Sequence, residues 1–158
     1  MKELKAQAKV GVGIKILWGA LAKDICFALP RIIPNLVKEA QILEGDGGLG
    51  TVFLFKFASD VKKIAVQKEK IVELDESLHL IALQVMEGGH LNHGFTSYKT
   101  SFQLTAFTDS ETLVDMKVVY ETEAEETLMP QETTNSALAF LKCVETYVLK
   151  EGSLTNLD

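Results

Sequence analysis

Cysteine, proline and histidine are scarce in this chain, and each scarcity removes a class of explanation. Among 158 residues there are two cysteines, Cys26 and Cys143, without CxxC or zinc-type spacing. They support neither a disulfide scaffold nor a structural metal site, and the expectation is two buried, reduced thiols. Three histidines, His79, His90 and His93, lack a third ligand at sensible spacing, so they read as surface residues rather than metal ligands. No apolar run reaches the ~18 residues a membrane span needs. The N-terminal residues Met1–Gln7 carry no apolar signal-peptide core. Basic clusters are also missing. With a net charge of −6, the chain has no row of lysines and arginines to neutralise phosphates, which argues against a nucleic-acid partner. No cofactor is expected. The remaining default is a cytoplasmic protein of one domain, residues 1–158, working as a monomer or weak homodimer.

What the chain does have is apolar substance, 47% of its residues, enough for a core without staples. It also has a concentrated glycine segment, Glu44-Gly45-Asp46-Gly47-Gly48-Leu49-Gly50-Thr51. Glycines at this density allow sharp turns and positive φ. A phosphate-binding P-loop would need GxxxxGK[ST] opening a helix. Here no lysine follows the last glycine, and the strand-like run Thr51–Phe57 follows instead. A connector between two strands is the better reading, and a dinucleotide fingerprint fails on the same ground.

Along the chain, residues 3–12 read as a first strand. Ile14–Lys23 and Ile25–Val37 read as two short helices, the second interrupted by Pro30 and Pro34. Six further strands can be drawn near 40–43, 51–57, 65–74, 78–86, 94–107 and 112–121, and their short links imply an antiparallel meander. After Pro130 the period changes. Ala137, Leu138, Leu141, Val144 and Val148 define an amphipathic helix of about 20 residues ending near Gly152. This helix is the natural cover for the apolar face of the sheet, and a curved sheet around it can leave a small-molecule cavity. The acidic run Glu121–Glu126 reads as a solvated turn before that helix.

Strand parity then nominates the cavity wall. Phe53, Phe55 and Phe57 share one face of their strand. On the next, Lys68 and Lys70 belong in water, which turns Gln67, Glu69 and Ile71 inward. An inward carboxylate is costly unless something partners it. Tyr98, Thr100 and Phe102 share a face further on, and Lys117 lies opposite the face of Met116, Val118 and Tyr120.

The segment Glu44–Thr51, the pair Gly88-Gly89 after Glu87, the Pro30–Pro34 stretch and the long final helix together resemble the Bet v 1 superfamily of plant pathogenesis-related proteins. The resemblance covers essentially the whole chain. It implies an α+β fold: a seven-stranded antiparallel curved sheet gripping a long C-terminal helix, two short helices as support, and a large internal cavity. Leu43–Thr51, Asp75-Glu76-Ser77, Leu83–Gly89 and Ser97–Thr100 are similar to the cytokinin-specific, phytohormone-binding branch. That likeness implies a small hydrophobic metabolite or plant hormone as partner, of cytokinin or gibberellin type, oriented by Gln67 and Glu69. The implied wall comprises Phe53, Phe55, Phe57, Ile81, Leu83, Tyr98, Thr100, Phe102, Ala137, Phe140 and Leu141. Ala137 and Phe140 stand where that branch would carry a threonine and a tyrosine, which favours a more apolar ligand. The norcoclaurine synthases share the landmarks, but their catalytic tyrosine, glutamate, lysine and aspartate would fall on Gln67, Glu69, Ile81 and Thr100. Only the glutamate remains, which leaves Glu69 as a lone general base for any alternative enzyme. A defence-related protein with incidental, broad ligand binding is a third expectation.

Overall fold

The computed structural model describes residues 2–23, 25–32, 37–57, 66–88, 91, 94–123, 135, 138–139, 141–147 and 149. Strand β1 (Lys2–Val10) is followed by a short helix α1 (Ile14–Trp18), a π-helical turn (Gly19–Lys23) and helix α2 (Ile25–Ile32). Strands β2 (Val37–Glu44), β3 (Val52–Phe57), β4 (Val66–Asp75), β5 (Leu80–Gly88), β6 (Phe95–Thr108) and β7 (Glu111–Thr122) complete the sheet. Its spatial order is β1-β7-β6-β5-β4-β3-β2, with every neighbouring pair antiparallel. Helical residues at 135, 138–139, 141–147 and 149 form a C-terminal helical segment.

The alternation read from sequence is physically realised as registered rows across the sheet. Leu4, Val118, Thr100, Leu83 and Ile71 follow one another through successive strand pairs, and so do Ala6, Met116, Phe102, Ile81 and Leu74. Both rows point to one face and feed one apolar core with Trp18, Leu21, Leu141 and Val144. Burial of each such aliphatic or aromatic side chain contributes about 1.5–3 kcal/mol. Lys117, as expected, is exposed on the opposite face.

Irregularities in the ladder bend the sheet. Between β4 and β5, Met86 is an extra residue on β5 and Val72 an extra residue on β4. Each bulge kinks its strand and increases the local twist of the sheet. The Val72 bulge also shifts phase, so Leu74 rather than Glu73 continues the inner face opposite Ile81.

Several boundaries differ from expectation. Val37 opens β2 and is buried, so the helix read as Ile25–Val37 stops at Ile32. An apolar stretch of this kind suits helix and strand alike. The first helix changes to π geometry after Trp18, and β1 ends at Val10 rather than residue 12. Glu121 belongs to β7, opposite Ser97, so the acidic run starts inside the sheet rather than in a turn. Both cysteines are free but half-buried rather than buried. Cys26 lies on α2 and packs against the apolar core.

The helical support is tied to the β4–β5 turn. Trp18 and His79 meet edge to face at 5.3 Å and 88°. Asp75 Oδ1 accepts from the Ser77 and Leu78 amides, each at 3.0 Å, and from Ser77 Oγ at 2.7 Å. No described helix is long and apolar enough to cross a membrane.

Candidate functional site

The glycine segment joins β2 to β3, as a strand connector should, and four of its amides are occupied. Gly47 N donates to Thr51 Oγ1 at 2.9 Å, and Gly48 N donates to Asp46 Oδ1 at 3.0 Å. Gly50 N donates to the Ile71 carbonyl at 2.9 Å, and Thr51 N to the Gly48 carbonyl at 3.1 Å. A phosphate cradle needs amides aimed at the anion. These four are turned to the protein itself. The return bond, Ile71 N to the Thr51 carbonyl at 2.9 Å, fastens the loop to β4. The loop therefore fixes the start of β3 against β4, the strand that carries both Gln67 and Glu69.

On that β3–β4 ladder Glu69 lies opposite Phe53, and Gln67 opposite Phe55. On the other side Glu69 faces Val85 and Gln67 faces Gly88. Phe53 and Phe55 are buried and their rings stack at 5.8 Å and 29°. Gln67 is 4% exposed. The result is a carboxyl and an amide embedded in a wall of phenyl rings and aliphatic groups.

Burial pushes the Glu69 carboxyl up to about 7 from an ordinary 4.5, and a hydrogen bond with the Gln67 side chain opposes that rise. Desolvation penalises the charged form, whereas the Gln67 contact favours it, and the first effect wins. Glu69 is crowded by protein on all sides yet keeps part of its surface accessible. Gly88 gives this corner its close packing. Its φ is +75°, and a Cβ there would stand 2.6 Å from the Val66 carbonyl oxygen.

The other nominated side chains form a second group. Ile81, Leu83, Tyr98, Thr100 and Phe102 are all buried, with Ile81 paired to Phe102 and Leu83 to Thr100. Leu141 joins them from the C-terminal helical segment. Phe57 is half-buried at the end of β3, opposite Val37, and packs on the rim of the core. Ala137 and Phe140 lie outside the described residues, as do His90 and His93. Val85 and Gly88 escaped the sequence reading although both flank the polar pair. Parity from Leu83 pointed to Val85, and the Gly88-Gly89 pair had marked the position without revealing its partner.

The helical segment is tied to β1 by a charged acceptor. Gly11 N donates to Glu145 Oε2 at 2.9 Å, across 134 positions of sequence. That contact is the first cause holding the Glu145 carboxyl below its usual range, with Lys142 adding to it. Other chemistries find less support. The Cys26 thiol is pushed up to about 11 by burial, which leaves almost no thiolate nucleophile at neutral pH. Among the described residues, no three His, Cys, Asp or Glu side chains gather as a metal site would require.

The profile of the pathogenesis-related protein Bet v 1 family matches residues 23–151. Pathogenesis-related protein B of Petroselinum crispum is 26% identical over 94% of this chain and 97% of its own length. S-norcoclaurine synthase 2 of Papaver somniferum is 24% identical, over 95% of this chain and 66% of that protein. The X-ray structure of norcoclaurine synthase from Thalictrum flavum with dopamine and hydroxybenzaldehyde superposes with a TM-score of 0.79. That match covers 94% of this chain and 87% of the other at 23% identity, which is a likeness of fold.

Proposed function

The chain belongs to the pathogenesis-related protein Bet v 1 family, and from that premise we propose a binding protein for a small apolar ligand. The ligand is a phytohormone of cytokinin or gibberellin type, held between the sheet and the C-terminal helical segment of a single cytoplasmic domain. One observation carries this reading: a hydrogen-bonded carboxyl–amide pair stands on a largely apolar inward wall. A core built only for stability gains nothing from an isolated carboxyl, whose desolvation is costly. A binding site gains orientation from it, because a few placed polar groups fix a ligand that apolar contacts hold. Glu69 as a residue keeps some accessible surface although protein surrounds its carboxyl, which fits a side chain at the edge of an internal hollow.

In this arrangement Phe53, Phe55, Leu83, Phe102 and Leu141 supply apolar contact, at about 25 cal/mol per Å² before the costs of association. Glu69 and Gln67 recognise the polar edge of the ligand. Titration with trans-zeatin and gibberellic acid, comparing wild type with Gln67→Ala and Glu69→Ala, tests the assignment. Each substitution weakens an accepted ligand by about fivefold to tenfold, the equivalent of one neutral hydrogen bond. Binding indifferent to both changes overturns it.

A second reading rests on the same carboxyl. A carboxylic acid poised near 7 suits a general base, so the fold could support proton transfer on a bound metabolite. Ile81 supplies no cation at the position where the synthase resemblance would place a lysine, so a reaction of this kind would rely on Glu69 alone. Turnover of an alkaloid precursor or reactive dicarbonyl, abolished by Glu69→Gln, would establish it.

A further inference from the structure

Asp46-Gly47, in the connector between β2 and β3, is the sole Asp–Gly or Asn–Gly pair in the sequence. An aspartate followed by glycine is prone to cyclise, because no Cβ on the following residue shields the peptide nitrogen. The Gly47 nitrogen attacks the side-chain carbon Cγ of Asp46 and loses its proton. The Cγ–O bond breaks, and the oxygen leaves as water carrying that proton and the carboxyl proton. Water then opens the succinimide at either carbonyl. One opening restores aspartate, and the other gives isoaspartate, in which the main chain runs through Cβ. Water is the one co-reactant. The product has an extra main-chain carbon in the connector whose bonds with Ile71 fasten it to β4.

The fold engages both reacting groups elsewhere. Gly47 N donates to Thr51 Oγ1 at 2.9 Å, and Asp46 Oδ1 accepts from Gly48 N at 3.0 Å. Asp46 itself is exposed, so exclusion of solvent does not protect it. Thr51 is buried and held by two further bonds. Its amide donates to the Gly48 carbonyl at 3.1 Å, and its carbonyl accepts from Ile71 N at 2.9 Å. Gly45 leaves room for this arrangement. Its φ is +93°, and a Cβ there would stand 2.7 Å from Thr51 Oγ1. The acceptor of the Gly47 amide is therefore fixed by the start of β3.

We propose that Asp46-Gly47 is a latent isomerisation site and that the Thr51 hydroxyl guards it. With its N–H directed at Thr51, the Gly47 nitrogen gives up a hydrogen bond before it acts as a nucleophile. With its carboxyl turned to Gly48, Asp46 gives up another before Cγ and that nitrogen reach a near-attack geometry. Reaction is confined to the fraction of loops in which both bonds are open. Each net hydrogen bond lowers that fraction by about fivefold. Thr51 is a positioning residue in this account, and the proposal is independent of any ligand.

The experiment ages the full chain in warm neutral buffer and measures isoaspartate at Asp46 by peptide mapping, with enzymatic methylation of isoaspartyl carboxyls as a second readout. Folded wild type is compared with wild type in guanidinium chloride, with Thr51→Val and with Thr51→Ser. Thr51→Val replaces the hydroxyl by a methyl group of similar size, whereas Thr51→Ser keeps the hydroxyl. The expected result is that folded wild type isomerises at least about tenfold more slowly than the unfolded chain. Thr51→Val is about fivefold faster than folded wild type, and Thr51→Ser keeps the wild-type rate. The Asp109-Ser110 step, in the turn between β6 and β7, keeps its wild-type rate in Thr51→Val, which separates a lost guard from general loosening.

Equal rates in folded and unfolded wild type would overturn the proposal, and that comparison stands whether or not Thr51→Val folds. A Thr51→Val rate equal to wild type, or Thr51→Ser as fast as Thr51→Val, would also overturn it. So would acceleration at Asp46 and Asp109 alike.

Discussion

Glu69 stands directly across the β3–β4 ladder from Phe53, so a carboxyl and a phenyl ring share one inward wall. Its stability consequence has a definite sign. The folded chain holds the proton to about 7, whereas an ordinary glutamate releases it near 4.5. Between those values the unfolded state ionises first, so this group costs the fold progressively more stability as pH rises. The cost is absent below the lower value and constant above the upper one.

Glu69→Gln removes that penalty. At about pH 8 the variant is more stable than wild type by up to about 3 kcal/mol, and the difference shrinks toward zero at about pH 4. Urea denaturation midpoints at the two pH values check this. A variant less stable than wild type at the higher pH contradicts it.

The bond from the Gly11 amide to Glu145 Oε2 ties the end of β1 to the C-terminal helical segment. Glu145→Ala loses about 1.5–3 kcal/mol, the worth of a hydrogen bond to a charged group. Because the folded carboxyl is held low, the wild-type contribution is present above the unfolded value and disappears as pH falls through the folded one. Faster hydrogen exchange at the Gly11 amide in the variant is the local readout.

Gly88→Ala places a methyl group against the Val66 carbonyl at a φ of +75°. Strain at such a position exceeds 1 kcal/mol and is carried by backbone, which cannot swing away. The expected result is a lower thermal midpoint together with weakened ligand binding, because Gln67 is the ladder partner of Gly88.

Cys26 reacts slowly with iodoacetamide at neutral pH in the folded protein, since its thiol is raised to about 11. Its alkylation rate, followed by peptide mass mapping to separate it from Cys143, rises on unfolding in urea. Equal rates in the two states would contradict the burial of this thiol.

Much of this was readable from the chain. Period-two alternation in β4 was enough to turn Gln67 and Glu69 inward, because the bulge beside Glu69 takes its extra residue from β5 and leaves β4 in phase. The glycine segment announced a connector, since a run of β-forming residues follows it without a lysine. Other features depend on distant partners and leave no local trace. The phase shift at Val72, the π turn after Trp18 and the Gly11–Glu145 contact are of this kind. Val37 was assigned to a helix because an apolar residue beyond a proline suits either state until its partner Phe57 is known.

The proposed function requires Glu69 to be a poised, inward-facing carboxyl within reach of the ligand. A carbon-13 NMR titration of its side-chain carboxyl, free and with trans-zeatin, tests this most directly. The expected free midpoint is about 7, and it falls when the N–H donor binds. A midpoint at the ordinary glutamate value, unmoved by ligand, would contradict it.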